Sequence, residues 1–254
     1  ANYPFATIQP NVGVVEVPDA RIDRLAELFH PKKTIYTTFE FTDIAGLVKG
    51  ASKGEGLGNQ FLSNIRLTDA ICHVVRCFED PDITHVEGSV DPIRDIEIIN
   101  LELIMADLQT VENRLAKVER KAQTNKDKDA MAEVAVLKKI KDALEAEKPA
   151  RSVELDKDEL AIVKAFSLLT LKPVIYVANM SDEDIMDPES NPLYQKVKAF
   201  AAAENSHVVP VCAKIEEELS GLDKEEKAEF LKELGIAESG LDQIIKTAYS
   251  ILNL

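Results

Sequence analysis

The chain has 254 residues, of which 45 are acidic and 30 are basic, so its formal net charge at pH 7 is −15. This length is enough for one large domain, or two smaller ones, with a substantial hydrophobic core. So acidic a chain is not expected to bind polyanions in general, and no DNA partner is predicted, although a single basic patch remains compatible with the composition.

The cysteine count and the hydropathy are both typical of a cytoplasmic protein. Cys72, Cys77 and Cys212 are odd in number and form no C-x-x-C pair, so reduced thiols fit better than disulfides or a zinc site. No apolar run reaches the ~18 residues of a membrane span, and the first residues do not resemble a signal peptide. We therefore expect a cytoplasmic protein without a membrane-spanning segment.

The outer parts of the chain alternate between predicted strands and helices. Apolar and β-branched runs predict strands at residues 11–17, 35–43, 70–76, 173–179 and 207–211, and helical patterns occupy residues 19–29, 60–68 and 193–203. The last three strands are almost continuously apolar, which is typical of strands buried on both faces of a parallel sheet. The outer parts are thus predicted to be α/β, with a mostly parallel sheet.

The second predicted strand ends in Asp43-Ile44-Ala45-Gly46, and four more glycines follow between residues 50 and 58. At the edge of a parallel sheet, Asp43 could hold a Mg²⁺-bound water, and Gly46 would let a backbone N–H approach a terminal phosphate. The pattern predicts a phosphate-sensing switch, although a glycine-rich turn without that function remains open.

The middle of the chain has a different pattern, with no glycine or proline from residue 95 to 148. Apolar residues recur at spacings of three and four, namely Leu101, Ile104, Leu108, Val111, Leu115 and Val118, and after a polar break at 123–129 Val134, Leu137, Ile140 and Leu144. This predicts an antiparallel coiled-coil hairpin. Residues 112–148 carry a net charge of +2, which leaves −17 for the remainder, so this region is either a solvated helix pair or a contact for RNA or the ribosome.

Two more helical regions complete the chain. Residues 157–169 are predicted to form one helix that returns the chain toward Pro173. The last forty residues are helical and acidic, with an apolar face made of Leu241, Ile244, Ile245, Ala248, Ile251 and Leu252.

Polar loops follow the last two predicted strands, Asn179-Met180-Ser181-Asp182 after one and Cys212-Ala213-Lys214 after the other. Ligands of parallel sheets collect at the carboxyl ends of the strands, and in GTP-binding proteins N-K-x-D and S-A-K-like turns hold the base there. Asn179 fits the bridging role and Asp182 could accept from guanine. Met180 replaces the lysine, which leaves guanine selection open.

Residues 2–13 (NYPFATIQPNVG) and 43–59 (DIAGLVKGASKGEGLGN), taken with these loops, resemble the YchF branch of the Obg-related P-loop NTPases, the Obg-like ATPases. The resemblance covers essentially the whole chain. It implies a G-domain-like nucleotide-binding domain at residues 1–91 and 171–254 with a helical coiled-coil domain inserted at 92–170. It also implies hydrolysis of ATP in preference to GTP, Mg²⁺ dependence, slow turnover and association with ribosomes through their RNA or protein.

The same resemblance assigns roles to residues of the switches. Thr7 matches the switch I threonine that reaches Mg²⁺, and Asp43 and Gly46 match the switch II pair. Leu47 stands where related GTPases have a glutamine that orients the attacking water, and its side chain cannot form a hydrogen bond. From its chemistry alone, His85 is the candidate for that task, since imidazole can order or deprotonate water. An ordinary surface histidine without that role is the alternative.

The chain departs from the family pattern in three respects, namely the base-binding motif, the P-loop segment and the TGS domain. Asp182 replaces the usual glutamate of N-x-x-E, which weakens the inference of adenine preference. No G-x-x-x-x-G-K-S/T occurs, so we expect the P-loop and first strand to lie upstream of residue 1, and a TGS domain beyond residue 254. These residues alone are then expected to bind nucleotide poorly. A strict GTPase and a non-catalytic coiled-coil scaffold with a vestigial site are the alternatives.

Overall fold

The structure is a computed structural model that describes residues 11–44, 58–80, 82 and 88–254. The strands are β1 Asn11–Glu16, β2 Thr38–Asp43, β3 Ile71–Arg76, β4 Val174–Asn179 and β5 His207–Val211. The helices are α1 Ala20–Phe29, α2 Gly58–Arg66, α3 Pro92–Asn125, α4 Lys128–Glu145, α5 Lys157–Val163, α6 Pro192–Ala203, α7 Ala213–Ser220, α8 Lys224–Leu234 and α9 Gly240–Ile251. No helix in the described ranges is long and apolar enough to cross a membrane.

The described residues form two compact units: a helical unit (residues 44, 58–71 and 94–173) and a sheet unit (residues 11–43, 72–80, 82, 88–93 and 174–254). The predicted boundaries between a nucleotide-binding domain and an inserted domain concern function as well as compactness, and they stay a prediction.

The helical unit contains the predicted hairpin, made of α3 and α4. Ion pairs join the two helices in reverse order, Glu112 with Lys141 and Glu119 with Lys138, as antiparallel helices require. The predicted apolar seam packs between them, and its buried members include Val111, Leu115, Val118, Leu137, Ile140 and Leu144. Leu101 is the exposed member of the predicted seam, with 40% of its surface accessible to solvent.

The predicted single helix at residues 157–169 is wrong. Helix α5 ends at Val163, a 3₁₀ turn follows at Lys164–Phe166, and Ser167 takes the left-handed conformation at φ 48°. This break turns the chain so that Leu168 and Leu169 are both buried. A continued helix would have spread the apolar residues of this segment around its axis.

A buried carboxylate holds the segment that follows the break. Asp107 of α3 is 0% exposed, and its Oδ1 accepts from the backbone N–H of Leu169 at 2.8 Å. Its Oδ2 accepts from the backbone N–H of Thr170 at 2.7 Å and from the Thr170 hydroxyl at 2.6 Å. Burial raises the pKa of Asp107 above its ordinary value, although these hydrogen bonds lower it.

The sheet unit holds two sheets. β1 pairs antiparallel with β2, from Asn11 opposite Asp43 to Glu16 opposite Thr38. The other sheet has the order β3-β4-β5, and β4 and β5 are parallel. Phe39 and Phe41 of β2 pack against the core of β4, β5 and α9, which confirms an α/β arrangement.

The structure corrects the expected position of Asp43. The strand is shorter than predicted, since it starts at Thr38 instead of residue 35, and its described partner is antiparallel. The alternation in β2 explains this: Phe39 and Phe41 face the core while Thr38 and Glu40 are exposed, as in a strand covered on one face. Asp43 itself is exposed at the end of the strand.

Candidate nucleotide site

The two polar loops predicted to bind a base leave the same edge of the sheet. In the parallel register of β4 and β5, Asn179 lies beside Val211, the last residue of β5. The backbone N–H of Met180 donates to the carbonyl of Val211 at 2.7 Å, which continues the pairing one residue beyond β4. The loops that begin at residues 180 and 212 are therefore neighbours, as ligand binding at the carboxyl edge requires.

A side-chain hydrogen bond ties the two loops together. Asn179 Oδ1 accepts from the backbone N–H of Ala213 at 3.1 Å, at the start of α7. On its other side, the carbonyl of Asn179 accepts from the backbone N–H of Cys77 at 2.8 Å. Asn179 thus bridges neighbouring segments of the sheet unit.

An ion pair closes the outer part of the site. Lys214 Nζ lies 3.1 Å from Asp182 Oδ2, and the side chains are 69% and 50% exposed. Their hydrogen bond lowers the pKa of Asp182 and raises the pKa of Lys214, so both groups are charged at neutral pH. The pair is solvent-facing and contributes little to stability. Its charges remain available to a ligand.

Two residues of the predicted site have buried side chains. Met180 is 2% exposed, and Cys212 is 3% exposed and packs against Ile215 and Leu219 of α7. A ligand cannot reach these side chains in this structure, so any contribution from these two positions must come from the backbone.

The phosphate half of the predicted site is only partly visible. Thr7, Gly46 and His85, like Leu47, lie outside the described residues, and Asp43 is described at the end of β2. No cluster of three His, Cys, Asp or Glu side chains in the described ranges has the spacing of a metal site. Mg²⁺ in nucleotide sites usually binds through one or two carboxylates, water and substrate phosphates. The exposed carboxylate of Asp43 is a suitable oxygen donor.

Asn191, which no sequence pattern singled out, orders the loop after Asp182. Asn191 is buried, its Nδ2 donates to Asp184 Oδ2 at 2.9 Å and to the carbonyl of Cys77 at 3.3 Å, and its Oδ1 caps α6 by accepting from Tyr194 N–H. The Asn-Pro pair at the start of α6 is a helix-start signal that could have revealed the cap. The contact with residue 77 has no signal in the sequence.

Comparisons with known proteins identify the family. A family model described as "50S ribosome-binding GTPase" matches residues 1–114. The chain is 61% identical over its full length to the ribosome-binding ATPase YchF of Bacillus subtilis, of which it covers 69%. It is 53% identical to the ribosome-binding ATPase YchF of Haemophilus influenzae, with the same coverage.

A solved structure shows the same fold. The YchF GTPase of Schizosaccharomyces pombe matches 100% of this chain and 68% of its own length, with a TM-score of 0.84 and 40% sequence identity. The predicted fold, an α/β P-loop NTPase with long helices, is thereby confirmed. The family that the residues resembled is also confirmed: this chain belongs to the YchF family of P-loop NTPases.

Proposed function

We propose that this protein binds and slowly hydrolyses ATP in a Mg²⁺-dependent manner and that its nucleotide state controls its association with ribosomes. Nucleotide binding is supported by one observation: two polar loops lie next to each other at the carboxyl edge of β4 and β5. One presents Asn179 and Asp182, and the other presents Ala213 and Lys214. Such an edge is the usual ligand position of a parallel sheet.

The ion pair in the site favours adenine over guanine. Guanine offers two adjacent N–H donors, which are best met by both oxygens of one carboxylate, but one oxygen of Asp182 is already held by Lys214. Adenine offers an amino donor beside a ring acceptor, which a carboxylate and an ammonium group can satisfy together. GTP remains the second candidate, because Asp182 matches the guanine-binding aspartate and one relative is named a GTPase.

The proposed hydrolysis uses the switch residues. Bound Mg²⁺ would neutralise charge on the phosphates, and Asp43 would hold one of its waters while Thr7 contributes a hydroxyl. Gly46 would present its backbone N–H to the terminal phosphate, and His85 would orient the attacking water. Because Leu47 offers no hydrogen bond at the position of the usual glutamine, we expect slow turnover.

The phosphate-binding motif of P-loop proteins does not occur in these 254 residues. The sequence contains no G-x-x-x-x-G-K-S/T, whose backbone amides and lysine hold the phosphates in P-loop proteins. These 254 residues alone should therefore bind nucleotide weakly and hydrolyse little of it.

The ribosome is proposed as a partner because of what the relatives are named. Two relatives are named ribosome-binding ATPases and the matching family model is described as a ribosome-binding GTPase. We therefore propose the ribosome as partner and the cytoplasm as location. A change of nucleotide would order or release the switches and so alter the ribosome-binding surface.

A competition titration of ATP against GTP on the full-length protein, with Mg²⁺, tests the nucleotide assignment. We expect tighter binding of ATP and slow ATP hydrolysis that is lost in Asp43→Asn, with binding largely kept. Tighter binding of GTP would make the protein a GTPase. Absence of binding to either nucleotide, with ribosome association intact, would leave only the scaffold alternative.

A further inference from the structure

We infer that the end of the α3–α4 hairpin, residues 114–133, here called the hairpin tip, is a surface that binds the phosphate backbone of RNA. The inference rests on the proposed association with ribosomes and names the part of this chain and the chemistry that would serve it. The supporting observation is that most acidic side chains at the tip form ion pairs, whereas most basic side chains there do not.

Most acidic side chains at the tip are already neutralised. Glu119 lies 3.4 Å from Lys138, Asp127 lies 3.4 Å from Lys121, and Glu133 forms a two-point contact with Arg114. Asp127 also caps α4 by accepting from the backbone N–H groups of the next turn. The remaining acid in this stretch is Asp129.

Four basic side chains at the tip have no such partner. Lys117, Arg120, Lys126 and Lys128 are exposed, and none forms an ion pair with another described residue. Against the one unpaired acid, Asp129, they leave an excess of about three positive charges that are free to meet an external anion.

The backbone that carries these four basic side chains belongs to the packed helices of the hairpin or to the short turn between them. Lys117 and Arg120 are three residues apart on α3, Lys126 takes the left-handed conformation at φ 48° just after α3 ends, and Lys128 opens α4. The seam beneath them continues to the end of the hairpin, where Val118 and Ala130 are each 4% exposed. A partner therefore does not have to order the backbone that carries the charges, only the side chains themselves.

The charge of the rest of the chain restricts where a polyanion can approach. Outside residues 112–148 the net charge is −17, so the remainder of the chain taken together repels RNA, whereas residues 112–148, at +2, do not. The tip is poorly suited to a protein partner, because residues 112–148 contain no aromatic residue and Met131 is its large exposed apolar side chain. Protein interfaces centre on buried aromatic and arginine anchors, whereas RNA backbone binding needs distributed cations.

The test is a variant of the full-length protein with Lys117→Gln, Arg120→Gln, Lys126→Gln and Lys128→Gln. Binding to salt-washed ribosomes is measured by co-sedimentation, and binding to purified ribosomal RNA is measured over a series of salt concentrations. If each cation meets one phosphate, the slope of log K against log salt becomes shallower by about 3, and affinity at about 0.1 M salt falls by about 10²–10³-fold.

Two control variants separate a local contact from net charge and folding. Lys32→Gln, Lys33→Gln, Lys224→Gln and Lys227→Gln remove the same total charge from exposed positions of the sheet unit, and should leave RNA binding within about twofold after correction for long-range steering. Exchange of each tip lysine for arginine, and of Arg120 for lysine, should keep the wild-type salt slope. ATP affinity and the thermal unfolding profile should be unchanged in all variants.

The outcomes separate this inference from the proposed function. Failure of the wild type to bind ribosomes would refute the proposed association. The measurement with purified RNA would still show whether the hairpin tip binds RNA. Equal RNA binding by wild type and the tip variant, or equal loss in the Lys32 control set, would overturn the inference. Ribosome binding that depends on the tip without any binding to purified RNA would assign the contact to a ribosomal protein, and would also overturn it.

Discussion

The substitution Asp107→Ala tests how the helical unit is held together. It removes the acceptor of three hydrogen bonds, two from the backbone of Leu169 and Thr170 and one from the Thr170 hydroxyl, at a site that is 0% exposed. Each buried donor left without a partner costs about 1–3 kcal/mol. Because a water in the space left by the carboxylate can satisfy part of this loss, we expect a total of about 3–5 kcal/mol.

The assay is urea unfolding followed by circular dichroism, which reports on the helices of this unit. Asp107→Asn should cost less, about 2 kcal/mol, since its carbonyl still accepts hydrogen bonds while its NH₂ group faces donors. Asp142→Ala is the matched control, because Asp142 is exposed on α4, and it should stay within about 0.5 kcal/mol of the wild type. A loss below about 1 kcal/mol in Asp107→Ala would refute the account of this site.

The pH dependence of the Asp107→Asn comparison has a defined sign. Because burial raises the pKa of Asp107 above 3.8, the folded carboxyl keeps its proton at pH values where the unfolded one has lost it. Its contribution to stability is full below pH 3.8 and falls as pH rises through the raised pKa. The advantage of the wild type over Asp107→Asn should therefore be larger at about pH 3.8 than at neutral pH. The opposite trend would show that the hydrogen bonds outweigh burial.

Three further predictions concern the sheet unit. Gly240→Ala would bring a Cβ to 2.7 Å from a side-chain carbon of the last residue of β5, and should cost about 1–3 kcal/mol in urea unfolding and weaken ATP binding. In the control Gly13→Ala, the added Cβ meets no atom within 4 Å, so its effect on stability should be nearly neutral. Equal effects of the two substitutions would contradict the packing. Asn179→Ala removes the acceptor for a backbone N–H of the second loop and should weaken ATP binding by about tenfold in a fluorescence titration; an unchanged affinity would exclude a role in the base site. The side-chain hydrogen bond from Arg21 is the largest cause that lowers the pKa of Asp19 to about 2, so the stabilisation is present above pH 3.8 and is lost as pH falls toward 2. NMR titration of Arg21→Ala should show a pKa of Asp19 above 2 but still below 3.8, because the backbone N–H of residue 21 still donates to its carboxylate; a value still near 2 would refute the cause.

The parts of the fold that could be predicted from sequence are those in which one local pattern controls the outcome. The apolar spacing of α3 and α4 specified the hairpin, because a seam with that period is buried only when two helices pack along it. The apolar runs at β4 and β5 specified parallel buried strands for the same kind of reason.

The parts that could not be predicted depend on contacts between residues far apart in sequence. The end of α5 is decided by the burial of Leu168 and by the hydrogen bonds from residues 169 and 170 to Asp107, which lies more than sixty residues away. The pairing of β2 with β1 likewise cannot be predicted from the pattern within either strand, because that pattern does not specify which strand lies beside it.

The candidate site divides in the same way. The motif order predicted that Asn179, Asp182 and Lys214 follow the ends of two strands, but only the structure shows that Asp182 and Lys214 form an ion pair. The motif likewise does not indicate that the side chain of Met180 is buried. Burial and pairing depend on the neighbouring strand and helix, which the motif does not include.

The ATP-to-GTP affinity ratio of the wild type and of Asp182→Asn, measured by competition with Mg²⁺ on the full-length protein, tests the central claim most directly. If the paired loops read the base, loss of this charged acceptor should change the ratio by about tenfold or more, because a hydrogen bond to a charged group contributes about 1.5–3 kcal/mol. The thermal midpoint should stay the same, since the pair is exposed. An unchanged ratio in a folded variant would show that these loops do not hold the base and would contradict the account.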